Sequence, residues 1–103
     1  TVPLRAGMVI SNEPGYYLTD AYGIRIENLV FVKESSKQLD GKPMFEFETI
    51  TLAPLDLNLV DVSLLTAPEK AWLNHYHATV YKTHAPHLSD MEKSWLKTAT
   101  APL

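Results

Sequence analysis

The stretch Ile24 to Val32 constrains the chain most, because its β-branched and aromatic residues fit an extended strand and little else. Period two puts Ile24, Ile26, Asn28, Val30 and Val32 on one face and Arg25, Glu27, Leu29 and Phe31 on the other. A strand with one solvated face normally has a cleaner polar side. Here Arg25 and Glu27 share their face with two large apolar residues, so that face is not a plain solvent face. A carboxylate removed from water without a partner is costly. A bound cation would satisfy Glu27, and so would an ion pair with Arg25.

A second carboxylate precedes it. Gly7 to Asn12 reads as a short buried strand that ends at Glu13-Pro14-Gly15. Pro14 holds Glu13 extended, and Gly15 is expected to permit a tight turn. Glu13 thus falls at a strand end. If the two strands pair as a hairpin-like unit, Glu13 and Glu27 can approach closely. Two carboxylates so placed repel unless a cation lies between them, and divalent ions with oxygen ligands suit such a pair.

Further on, Lys33 to Pro43 reads as a loop with a turn signal at Asp40-Gly41, and Phe45 to Leu52 as a third strand. Leu55 to Leu65 is apolar without a clean period and is expected to pack on the sheet. Two capping boxes follow, Thr66-Ala67-Pro68-Glu69 and Ser89-Asp90-Met91-Glu92, each opening a helix. Trp72, Leu73, Tyr76 and Val80 form the expected apolar stripe of the first, with Met91, Trp95 and Leu96 in the second; the tail from Thr98 should fray. The fold class expected is therefore α+β, a small, mostly antiparallel sheet of about three strands followed by two helices.

Several function classes drop out. A net charge of −3 gives no electrostatic reason to expect nucleic acid or an anionic membrane as partner. With no cysteine, a disulfide framework and a thiolate metal site are excluded, which fits a cytoplasmic protein. No apolar run approaches the ~20 residues that cross a bilayer. His75, His77, His84 and His87 form no zinc spacing and read as surface or packing residues.

Glu13-Pro14-Gly15-Tyr16-Tyr17 and Gly23-Ile24-Arg25-Ile26-Glu27-Asn28 resemble the last two ligand motifs of the pita-bread metallopeptidases, family M24. Phe47 to Pro54 and Trp72-Leu73-Asn74 with Tyr76-His77 resemble the extension that follows the catalytic domain in the long Xaa-Pro aminopeptidases. The resemblance implies a fragment of the pita-bread fold, with the end of the catalytic domain at residues 1–34 and the extension at 35–103. It implies Glu13 as a metal ligand and Glu27 as the ligand bridging two divalent ions, manganese first, zinc or cobalt otherwise. Arg25 and Tyr17 would support those ligands from behind. The substrate implied is a peptide with proline at its second position. Prolidase-type dipeptidases and non-enzymatic pita-bread binding modules are the alternatives. The other implied ligands, two aspartates and a histidine, have no counterpart in this chain, so the isolated piece should be inactive and hold no ion tightly. Elements missing around it should leave an edge open on the Met8 or Ile24 strand, and homo-oligomerisation is expected.

Overall fold

The computed structural model describes residues 1–103 and divides into two compact units, Thr1–Thr51 and Leu52–Leu103. The first is all β. It contains β1 (Val9–Asn12), β2 (Gly15–Leu18), β3 (Tyr22–Arg25), β4 (Asn28–Leu39) and β5 (Lys42–Thr49). A three-stranded antiparallel sheet has the order β1-β4-β5, and β2 and β3 form a separate antiparallel pair. The second unit holds α1 (Ala67–His84) and α2 (Asp90–Ala99), joined by a short 3-10 turn at Ala85–His87.

The strand expected at Ile24 to Val32 is interrupted: β3 ends at Arg25 and β4 begins at Asn28. The cause is opposite it. Pro14 has no N–H, so it accepts from Ile26 N–H at 3.2 Å and returns nothing. The ladder loses a rung there and resumes on either side. Gly15 lies within β2 at the position facing Arg25, so the expected tight turn at this glycine is not formed. The turn residue is Gly7, at φ +92°, which enters β1 through a glycine bulge: Gly7 N–H donates to the Val32 carbonyl at 2.8 Å and Val32 N–H to the Met8 carbonyl at 2.9 Å. Two residues thus oppose Val32.

Only one face of β4 is buried. Asn28, Val30 and Val32 are enclosed, whereas Leu29 is exposed and Phe31 half-buried. The loop expected over Lys33 to Pro43 is instead the far end of the β4–β5 hairpin. Asp40 and Gly41 both take positive φ, 52° and 73°, and make the two-residue reversal that matches strand twist. Between Glu34 and Gln38 the ladder slips, with Ser35 to Lys37 occupying the span of Met44 alone. Polar composition misled here because neither side of a solvated hairpin end needs apolar residues.

In the helical unit both capping boxes form. Thr66 and Ser89 accept from the backbones of Glu69 and Glu92, whose carboxylates accept in return from the cap N–H groups at 2.8 Å. Each cap contributes about 1 kcal/mol. The buried stripe of α1 is Leu73, Tyr76, His77 and Val80, a strict i, i+3, i+4, i+7 set. Trp72 lies one step off that stripe, half-exposed, and stacks on Tyr76 at 5.3 Å between centroids. Leu96 is the buried apolar residue of α2; Met91 and Trp95 point to solvent, contrary to expectation. Leu52, Leu55, Leu57 and Leu65 pack on this helical core, which is where the Leu55–Leu65 segment finds its partners. The tail is tethered, not frayed: Thr100 is buried with its hydroxyl donating to the Leu96 carbonyl at 2.7 Å, and Leu103 N–H donates to Asn74 Oδ1 at 2.8 Å.

Three side chains of α1 clasp the incoming segment. The Tyr76 hydroxyl donates to the Ala53 carbonyl at 2.7 Å and accepts from Ala53 N–H at 3.3 Å. His84 Nε2 donates to the Leu52 carbonyl at 2.7 Å. His77 Nε2 accepts from Leu55 N–H at 3.0 Å, which puts its proton on Nδ1. Two of the four histidines therefore have packing roles. The His77 ring is fully buried, and burial lowers its pKa below the ordinary 6.5. The folded state then binds fewer protons than the unfolded one, so His77 contributes stability in full above pH 6.5 and loses it as pH falls through the lowered folded value. Urea unfolding of this unit should accordingly weaken between pH 7.5 and pH 5, and His77→Phe should flatten that dependence.

Candidate metal centre

The β1–β4 and β2–β3 ladders share one register. Val9 faces Phe31 and Asn12 faces Asn28 in the first; Gly15 faces Arg25 and Leu18 faces Tyr22 in the second. No residue is gained or lost between them, so the gap sets Glu13 opposite Glu27. The hydrogen-bonded rungs at Met8/Val32 and Pro14/Ile26 fix the alternation: Glu13/Glu27 is a non-hydrogen-bonded pair. Side chains in such pairs stand on the same face at about 4.5–5.5 Å between β-carbons. The sequence expectation that two strands bring these carboxylates together is met by backbone geometry.

The same parity puts Gly15 and Tyr17 on that face of one strand and Gly23, Arg25 and Glu27 on that face of the other. Arg25 is the hub. One of its terminal nitrogens lies 3.1 Å from Glu27 Oε2, and its pKa is pushed further above the ordinary value by Glu27 first, then by Tyr17 and then by Glu13. All four residues singled out in the sequence thus converge. The sequence reading passed over Gly15 and Gly23 as parts of this face. Their signal was available: a glycine stands two residues before Tyr17 and two before Arg25, the strand period.

Arg25 and Glu27 are about half exposed, with 49% and 42% of their side-chain surface open. The chemistry of the donors suits a divalent cation: two carboxylates on one face offer hard oxygen atoms, and repulsion between neighbouring carboxylates is relieved by positive charge. Arg25 is the positive charge in this arrangement. The number of donors is the limit, since the chain assembles no cluster of three or more His, Cys, Asp or Glu able to hold an ion. Within its own residues it presents two carboxylates, a cation and a phenol.

The chain thus carries a facing carboxylate pair on an antiparallel ribbon, followed in sequence by a helical unit. The chain belongs to metallopeptidase family M24: residues 1–34 match that family and residues 43–103 match the C-terminal region of peptidase M24. It is 46% identical to the "Probable Xaa-Pro aminopeptidase P" proteins of Coprinopsis cinerea, over 97% of its length, and of Tuber melanosporum, over 99%. It is also similar to the crystal structure of X-prolyl aminopeptidase from Caenorhabditis elegans, described as a cytosolic enzyme with a di-nuclear active site. That match has a TM-score of 0.86 at 38% identity and covers 97% of this chain. The α+β fold is therefore the one found in that enzyme. The chain spans 17% of the length of each of these three relatives.

An exposed, solvent-screened ion pair adds little to stability. Arg25→Met should accordingly leave the urea midpoint of unfolding essentially unchanged, which separates any role beside the carboxylates from a role in holding the fold.

Proposed function

We propose that this chain is the carboxylate-bearing end of a dinuclear-metal aminopeptidase that hydrolyses the bond between an N-terminal residue and a following proline. The observation that carries the reading is the placement of Glu13 opposite Glu27 in an unbroken register, with Arg25 beside both. Glu13 and Glu27 would both hold the metal, with manganese the ion of choice. When bound, such a pair of ions supplies a hydroxide nucleophile at neutral pH and polarises the scissile carbonyl. The chain's own residues hold and orient. Glu13 and Glu27 supply oxygen donors, Arg25 pairs with the carboxylate of Glu27 at 3.1 Å, and Tyr17 stands beside Arg25 on the same face. Residues 1–34 close the catalytic domain, and residues 35–103 are an extension that follows it.

The whole protein would take peptides with proline at position two and work in the cytoplasm, as its Caenorhabditis elegans relative is described to do. No helix here is long and apolar enough to cross a membrane. In the full-length protein, Glu13→Ala and Glu27→Ala should each lower Mn2+ affinity and X-Pro cleavage by more than the roughly 10- to 100-fold that loss of a supporting group costs. Unchanged metal binding in Glu27→Ala, measured by isothermal titration, would sink the assignment.

Two further consequences concern the chain by itself. It should show no X-Pro hydrolysis, because it presents two ligands and no third. It should also self-associate, because β1 is an outer strand and Val9, Tyr16, Leu18, Tyr22, Ile24 and Ile26 are all exposed. Sedimentation velocity at rising concentration checks the second; a sharp monomer throughout would refute it.

A further inference from the structure

Tyr17 lies in β2 directly opposite Gly23, and Gly15 is its neighbour two residues back on the same face. A β-carbon built on Gly23 would sit 2.6 Å from Cδ1 and 3.0 Å from Cε1 of the Tyr17 ring. One built on Gly15 would sit 2.7 Å from the Tyr17 hydroxyl oxygen and 2.9 Å from Cε2 and Cζ. The ring therefore lies flat on the ribbon, its base over Gly23 and its hydroxyl over Gly15. Gly15 faces Arg25 across the ladder, so the hydroxyl over Gly15 is delivered to the side of the ribbon where Arg25 stands. Neither glycine has positive φ, so backbone conformation does not demand them. What demands them is the space that the ring occupies.

We infer that Gly15 and Gly23 are positioning residues of the carboxylate pair: lacking side chains, they form a floor that lays Tyr17 across the ribbon, so that its hydroxyl braces Arg25 and Arg25 orients Glu27. The relay runs glycine floor, phenol, guanidinium, carboxylate, all on one face of two strands. Each link is needed because the site is open. Arg25 is half exposed, and a long side chain in water samples many rotamers unless a second contact holds it. Tyr17 is the rigid choice for that contact, with two torsions and a flat body. A methyl group on Gly15 meets the hydroxyl end of the ring and one on Gly23 meets its base; both clashes are with a side chain and not backbone, so the ring would be displaced while the strands stayed paired. The expected loss is therefore of positioning and not of fold.

The metal half of this inference rests on the function proposed above; the placement of Arg25 does not, and two measurements keep them apart. In the 103-residue chain, the Arg25 Nε–H resonance reports the brace. Gly23→Ala and Tyr17→Phe should each shift it, and the ring-current displacement of the Gly15 and Gly23 α-protons should vanish in Tyr17→Ala. Tyr17→Phe keeps the ring and the fold, so it decides the case if an alanine variant folds poorly. In the full-length protein, titration with Mn2+ alone should show Gly23→Ala and Tyr17→Phe each weakening binding about tenfold or more, the range for groups that orient a ligand. Gly23→Ala added to Tyr17→Ala should cost nothing further, because the glycine acts through the ring. An unmoved Arg25 resonance in Gly23→Ala would overturn the placement. An equal loss of Mn2+ affinity from Gly23→Ala with and without Tyr17 would overturn the relay. Failure of the unaltered full-length protein to bind Mn2+ would overturn the metal reading, with the resonance data still deciding the brace.

Discussion

The antiparallel register that runs through both ladders is the constraint on which the site depends. Glu13 and Glu27 owe their proximity to main-chain pairing on either side of them, Asn12 with Asn28 and Gly15 with Arg25. A slip of one residue would move every side chain of one strand to the other face and separate the carboxylates. The register is held against such a slip at the far end by the Gly7 bulge, which two hydrogen bonds to Val32 pin in place. The interruption at Pro14 is local. It removes one donor without inserting a residue, so the strands change sheets while alternation is preserved. That combination interrupts the ladder beside the two carboxylates and keeps the facing residues aligned.

The helical unit is organised by a different interaction. Tyr76, His77 and His84 project from α1 to the backbone of Leu52, Ala53 and Leu55, converting an irregular segment into a fixed layer over the leucine core. Irregular backbone can be enclosed only where its N–H and C=O groups find partners, and here helix side chains provide them. The arrangement explains polar residues on a helix face that would otherwise be read as a packing fault. His77 is fully enclosed for this reason, at the cost of an Nδ1 proton with no acceptor.

At the carboxylate pair, the chain balances charge in the open. Arg25 draws on Glu27, Tyr17 and Glu13 together, and none of these is enclosed. Screened contacts of this kind add little to stability, so the cluster is better understood as orientation of donors than as support for the fold. The glycine floor under Tyr17 belongs to the same economy of design, in which missing side chains define where a ring can lie. The likeness to the M24 peptidases gives this arrangement a setting, since residues 1–34, which carry the pair, match that metallopeptidase family.

Local sequence determined what depends on near neighbours. Both capping boxes, the Asp40-Gly41 turn and the strand character around Val30 were legible, because each follows from residues a few positions apart or from period two; the facing of Glu13 and Glu27 followed only on condition that their strands paired. Tertiary structure decided the rest. Which face of α1 is buried turned on His77, whose polarity argues for solvent until a backbone N–H is brought to it by Leu55. Trp72 and Trp95 look like core by composition, yet the helices turn them outward because Leu73 and Leu96 already occupy the inward angle. The break at Ile26–Glu27 could not be seen in its own strand, since its cause is a proline twelve residues away that faces Ile26 only after the chain has doubled back. Short-range steric rules act on the unfolded chain and can be read from it; partners supplied from across the fold exist only once the backbone has closed.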